Sequence, residues 1–194
     1  MNSTSRSCDH CNKPQTMHIT VVGNEGIPCV IHLCESCAQQ FLERSAPEHA
    51  THKAVAFKGG DEVHVQVDKL IISEIHDLQL VILREAGGSR YLPFGTGIFE
   101  ATALDRALKG ESFPVPLTYD AWLTSLQVLG AEIEEACIYD LHEHRYYAEL
   151  RLRRGQENVR IDMRPSDALV MSLKAGVPFL VAERLFSEAS AMPW

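Results

Sequence analysis

The sequence predicts an α+β fold, a mainly antiparallel sheet with flanking helices, preceded by a small cysteine-bearing module. Three observations predict it. Segments that alternate apolar and polar residues recur along most of the chain, which is the mark of half-buried strands. Between them lie stretches with apolar residues at helical spacing, each stopped by a glycine. Ahead of both stand two Cys-x-x-Cys pairs, Cys8/Cys11 and Cys34/Cys37, with residues 12–33 between them.

Two Cys-x-x-Cys turns can bring four thiolates to about 2.3 Å from one ion and close a tetrahedral site, so structural zinc is expected on Cys8, Cys11, Cys34 and Cys37. A closed site leaves no position for substrate. It explains how a short module folds, since metal binding there is folding free energy. A disulfide pair, a thioredoxin-like redox motif and a single iron centre compete with zinc. Residues 1–7 are polar and lack the apolar segment of a signal peptide, which disfavours disulfides and points to a reducing cytoplasm. Met17–Val22 and Pro28–Leu33 read as short strands around a Gly23-Asn24-Glu25-Gly26 turn, with a helix starting near Cys37. The result is a zinc-ribbon or treble-clef-like module over residues 1–44. His10, His18 and His32 lie close to the thiolates but read as supporting or surface residues, and Cys29 and Cys137 as packed thiols.

Residues 45–61, with Pro47 and Gly59-Gly60, have no period and read as a linker; residues 62–188 form the main domain and 189–194 a tail in which Trp194 is a candidate contact point. In the main domain, Val63, Val65 and Val67 mark one strand and residues 70–75 a second. Residues 80–83 and 90–94 mark two more, ending in the Gly95-Thr96-Gly97 turn. A helix follows over 99–108 and stops at Gly110; another runs over 119–129, with Thr118 as its expected N-cap and Gly130 as its stop. Residues 133–141, 145–152 and 159–163 then read as strands, 166–174 as a helix closed by Gly176, and 178–182 as a last strand. The two segments Glu100-Ala101 to Gly110 and Asp167-Ala168 to Gly176 share an acid-Ala start and a Gly stop, which suggests an internal duplication. Duplication would set Glu100 and Asp167 at equivalent helix starts, facing one cleft. The competing explanation is that acids in a first helical turn complement the macrodipole, for about 0.3–1 kcal/mol, with no catalytic duty.

With 18 basic against 26 acidic side chains, a formal charge of -8, the chain is not one that coats nucleic acid electrostatically, so any such contact must be local. No apolar run approaches the ~20 residues of a membrane span. Arg145, Arg151, Arg153, Arg154, Arg160 and Arg164, with Tyr146 and Tyr147 among them, form a basic stretch on which bases could stack; a solvated strand face is the favoured explanation, since alternate side chains point opposite ways and the six cannot share one surface. The densest motif is Arg160-Ile-Asp162-Met-Arg164-Pro165-Ser166-Asp167-Ala168, at a strand-to-helix junction. Pro165 fits a first helical turn, Ser166 and Asp167 can satisfy free backbone amides, and Arg164 can hold a carboxylate or phosphate bidentately. An Arg164-to-acid pair that only locks strand to helix fits the same residues.

Three blocks resemble the bifunctional nuclease family: Arg90-Tyr-Leu-Pro-Phe-Gly-Thr-Gly-Ile-Phe-Glu100-Ala, Pro116-Leu-Thr-Tyr-Asp120, and Ile161-Asp-Met-Arg-Pro-Ser-Asp-Ala168. The resemblance covers about residues 63–185. It implies an α+β domain with antiparallel sheet that cleaves RNA and DNA. The matching positions are Arg90, Glu100, Asp120, Asp162, Arg164, Ser166 and Asp167. Two positions depart: where the family leads one to expect Arg-Pro-Leu-Thr-His-Asp, this chain has Val115-Pro-Leu-Thr-Tyr119-Asp120. If that histidine is a general base its loss puts cleavage in doubt, because a tyrosine of pKa about 10 is a poor base at neutral pH; a metal-assisted mechanism survives it. Met17-His18-Ile-Thr20, with His32-Leu-Cys34-Glu-Ser-Cys37-Ala38, resembles the zinc module of bacterial proteins carrying UvrB/UvrC-type interaction motifs, which implies protein contacts.

Two functions follow. In the first, Glu100, Asp120, Asp162 and Asp167 hold Mg or Mn, and Arg90 and Arg164 hold the phosphate of an RNA or DNA substrate, with Ser166 in the same motif. In the second, the protein is a non-catalytic, zinc-containing interaction or regulatory protein, with the Asp/Arg/Ser cluster as a lock. Three converging carboxylates in an open cleft favour the enzyme; carboxylates paired with arginines favour the scaffold. Pairing of two copies is open under either.

Overall fold

The computed structural model describes residues 6–23, 27–45, 62–77 and 79–189. In chain order these are β1 (Met17–Val22), β2 (Pro28–Leu33), α1 (Glu35–Ser45), β3 (Glu62–Ser73), β4 (Gln79–Glu85), β5 (Tyr91–Thr96), α2 (Ile98–Leu108), α3 (Thr118–Val128), β6 (Ala131–His142), β7 (Arg145–Arg154), β8 (Glu157–Met163), α4 (Pro165–Ala175), β9 (Phe179–Ala182) and α5 (Arg184–Ala189). The strands form one sheet in the order β2-β1-β3-β9-β6-β7-β8, with β4 on β3 and β5 on β4. Every pairing is antiparallel except β6 with β9. The fold is therefore the α+β class that the alternation predicts.

One continuous β3 replaces the two strands expected at 63–67 and 70–75. The alternation of its buried residues changes parity, from Val65 and Val67 to Leu70 and Ile72, and all four lie in one core. A register shift between Val67 and Lys69 inserts the extra residue that makes this possible. Because β3 is long, its start pairs with β9, its end with β1 and its middle with β4. The cysteine-bearing hairpin β1-β2 is thus part of the main sheet. The expected linker, turn residues 24–26 and Trp194 lie outside the described residues.

Helices α2, α3 and α4 cover one sheet face, where Leu83, Leu92, Leu104, Ile138, Leu150, Leu169 and Met171 make a core of fully buried side chains. Leu185 and Phe186 of α5, a helix without a sequence signal, join it. On the opposite face, Ala38, Phe41 and Leu42 of α1 pack with Ile19, Ile71, Leu80 and the cysteines. Three other expectations change. α1 starts at Glu35, before Cys37. Thr118 is the first residue of α3 and not its cap; the cap is Leu117, whose N–H donates to Asp120 Oδ2 at 3.0 Å. Cys29 is exposed near the turn end of the edge strand β2, whereas Cys137 is buried as expected.

Each half of the main sheet is a three-stranded antiparallel meander, β3-β4-β5 or β6-β7-β8, and α2 and α4 each have 11 residues. Glu100 and Asp167 are both third residues of their helices. The recurrence matches the duplication suggested by the sequence. A buried bond joins the hairpin to α2: Thr20 Oγ1 donates to Asp105 Oδ1 at 2.6 Å, and Asp105 also pairs with Lys109. Thr20→Val should lower stability by about 1–3 kcal/mol, because it leaves a buried carboxylate one donor short; urea denaturation measures it, and an unchanged midpoint would show the bond to be idle.

Candidate functional site

Two places hold candidate chemistry, and the first is the cysteine cluster. Cys8 and Cys11 lie in the loop before β1, Cys34 directly after β2 and Cys37 in the first turn of α1, so the strand hairpin and the helix converge on one point. The four sulfurs all lie within 4.8 Å of one another, with Cys11 to Cys34 and Cys37 to Cys11 both 3.6 Å. A tetrahedral zinc at about 2.3 Å from each sulfur sets them about 3.8 Å apart, so the cluster fits a metal of that kind. All six cysteines are free thiols, and no histidine joins the group among the described residues. The Ser36 hydroxyl and the Cys37 N–H pull Cys34 down to about 6, while hydrogen bonds to Cys11 and Cys34 push Cys37 up to about 12. Four thiols in one place cannot all ionise comfortably without a cation among them.

The second place is where the starts of α2 and α4 meet. Arg164, the N-cap of α4, reaches Glu100 Oε1 with one guanidinium nitrogen at 2.8 Å and Asp167 Oδ2 with another at 2.7 Å. Both carboxylates are mostly covered, while the Arg164 side chain is 67% exposed. Tyr119, in the first turn of α3, donates its hydroxyl to Asp167 Oδ1 at 2.7 Å. Burial, then the Asp167 carboxylate, hold its phenol well above its ordinary value, so Tyr119 orients Asp167 as a donor and is no base at neutral pH. Gly97 caps α2, and a Cβ added there would lie 2.5 Å from Glu100 Oε2; only glycine leaves that carboxylate where it is. Two helix N-termini, with their free N–H groups, converge beside an exposed guanidinium, an arrangement suited to a phosphate.

The remaining residues expected from sequence do not join this group. Asp120 caps α3 and pairs with Lys174 in the last turn of α4, about 10 Å along the helix from Asp167. That ammonium holds the Asp120 carboxyl below its usual value. Asp162 points to the opposite sheet face, because Ile161 and Met163 take the core side of β8, and it accepts a bond from Tyr139. Ser166 is buried, at 4% exposure. Arg90 grips Glu85 and Glu183 and lies 4.6 Å over the Phe186 ring, which ties β5 to α5. Sequence inspection did not single out Tyr119 as a partner of Asp167 or Lys174 as a partner of Asp120; neither side chain is near its partner along the chain.

The basic stretch is largely neutralised. Arg151 holds Glu62, Glu135 and Glu149, Arg153 holds Glu132 and Glu134, Arg154 pairs with Glu157, and Arg160 lies 3.6 Å from Glu149. Tyr146 packs on Phe94. Among the described residues no helix is long and apolar enough to cross a membrane.

Residues 81–193 match the family described as the bifunctional nuclease domain. An uncharacterized protein of Mycobacterium tuberculosis strain CDC 1551 / Oshkosh is 34% identical over 128 residues, covering 66% of this chain and 76% of the relative. An uncharacterized protein of strain ATCC 25618 / H37Rv has the same identity and coverage.

Proposed function

We propose, because this chain belongs to the bifunctional nuclease domain family, that it hydrolyses phosphodiester bonds of RNA or DNA where α2 meets α4. The observation that carries the proposal is the single exposed guanidinium of Arg164 shared by Glu100 and Asp167, the third residues of two equivalent helices. In this reading Arg164 and the two helix N-termini hold the phosphate. Asp167, with Oδ1 fixed by Tyr119 and Oδ2 by Arg164, keeps the guanidinium in position. Glu100 takes the proton of the attacking water; a new P–O bond forms, the ester P–O bond breaks, and the leaving oxygen is protonated from solvent. Mg or Mn is ordinarily held by one or two carboxylates plus substrate phosphate oxygens; Glu100 is the carboxylate that would take it, since both oxygens of Asp167 are engaged, and such an ion would supply charge neutralisation and a more acidic water. Asp120, Asp162, Ser166 and Arg90 serve the frame.

The pairing itself supports a second reading. Glu100, Asp167 and Asp120 each already have a cation, as expected of a lock between helices in a non-catalytic, zinc-containing interaction protein. A panel separates the two. With labelled single-stranded RNA and DNA and added Mg or Mn, Glu100→Gln should lose about 100-fold or more in rate, while Asp162→Asn should stay within a few fold of the unaltered protein. Equal losses in both variants would sink the assignment of the site.

A further inference from the structure

Phe99 is the most exposed large apolar side chain among the described residues, at 85%, and it directly precedes Glu100 in α2. Nothing in the fold uses it. Seven residues later on the same helix stands Arg106; two turns of an α-helix return to nearly the same direction, so Phe99 and Arg106 share one stripe about 10 Å long. Phe113, in the segment between α2 and α3, is 42% exposed and lies under Arg106, with Cζ 5.3 Å from the ring centroid. Arg106 has no carboxylate partner among the described residues, in a protein of formal charge -8 in which Arg151, Arg153, Arg154 and Arg160 are all engaged by glutamates. At its Phe99 end the stripe is one residue from Glu100, which lies about 100° around the helix and pairs with Arg164.

Aromatic faces alternating with guanidinium groups are the surface that a single-stranded nucleic acid takes: bases stack on the rings, and the cations follow the backbone. A second copy of the chain would have to bury about 800 Å² per partner, more than Phe99, Arg106 and Phe113 offer by themselves. We propose that the α2 stripe from Phe99 to Arg106, with Phe113, is the track by which a single-stranded nucleic acid enters the site, its bases on Phe99 and Phe113 and its backbone on Arg106 and Arg164. The proposal rests on the nuclease reading and adds to it a strand class and two base-stacking residues.

The test is binding without cleavage, by fluorescence anisotropy, of a labelled 12-nucleotide single strand and of the same strand made abasic. The full chain carries Glu100→Gln/Asp167→Asn throughout so that the probe survives. Phe99→Ala should weaken binding of the normal strand about tenfold and leave the abasic strand unchanged, Phe99→Trp should restore it, and Arg106→Gln should weaken both strands and flatten the salt dependence. Three results overturn the track: unchanged affinity in Phe99→Ala, an equal loss on both strands, or a dimer in sedimentation that Phe99→Ala dissociates. Cleavage by otherwise unaltered protein, run alongside, separates the two failures, since a Phe99→Ala variant that binds and cleaves normally removes the track and leaves the nuclease intact.

Discussion

Purified protein should carry close to one zinc per chain, and stripping that metal should unfold the β1-β2 hairpin and α1. The expectation is large because structural zinc contributes about 10–16 kcal/mol of apparent binding free energy in small modules, and here the buried apolar residues beside the cysteines are few: Met17, Ile19, Leu33, Ala38 and Ile71, with Phe41, Leu42 and Leu80 only partly buried. Cys34→Ser should therefore abolish stoichiometric metal and lower the melting temperature by well over 10 °C. The effect should extend past the module, since β1 is hydrogen-bonded to β3 and Thr20 to Asp105 of α2. Metal affinity should fall as pH falls, because each thiolate gained by the metal is a proton released; with Cys37 pushed up to about 12, binding must expel a proton from that sulfur at neutral pH. Metal analysis decides the matter. Iron in place of zinc corrects the ion; absence of any metal, with melting unchanged by a chelator, contradicts the module.

Arg164→Ala should cost cleavage about 100- to 1000-fold, the range for removing one preorganised donor from a developing negative charge. It leaves Glu100 and Asp167 facing each other without the cation they share, so added Mg or Mn should recover less than the whole loss. Arg164→Lys should not restore the rate, because an ammonium cannot span both carboxylates as the planar fork does. Stability should fall as well, because two mostly covered carboxylates lose the cation they share, so the fold of the variant is checked beside its rate. Full activity in Arg164→Ala would remove the guanidinium from the chemistry and favour the lock.

Local signals carried much of the structure. Both hairpin strands end where the alternation and turn residues place them, and the cysteines converge as their spacing demands. Glycines mark helix ends as expected: Gly176 is the left-handed cap of α4, at φ 68°. What was not legible has identifiable causes. A bulge breaks the period of two in β3 and makes one strand look like two. The cap of α3 is supplied by Asp120 reaching back, while Leu117 has no capping side chain, so the rule that favours Thr118 points one residue late. At the site, closeness along the chain was misleading: Asp162 and Asp167 are five residues apart yet on opposite sides of the sheet. The apolar residues Ile161 and Met163 flanking Asp162 were the signal for that. Joining Glu100 to Asp167 needed the duplication to be taken as geometry, and the pairs Tyr119–Asp167 and Asp120–Lys174 needed the packing of α3 on α4, which no local pattern states.

The most direct measurement is the rate at which Glu100→Gln/Asp167→Asn cleaves labelled single-stranded RNA and DNA in Mg or Mn, beside unaltered protein purified in parallel, with folding of both checked by circular dichroism and zinc content. Cleavage by the unaltered protein that falls at least 100-fold in the folded double variant is the result expected if the α2–α4 junction is an active site. Equal cleavage by both would place the activity in a contaminant, and no cleavage by either, in any divalent metal, would contradict the nuclease account and leave the interaction protein in its place.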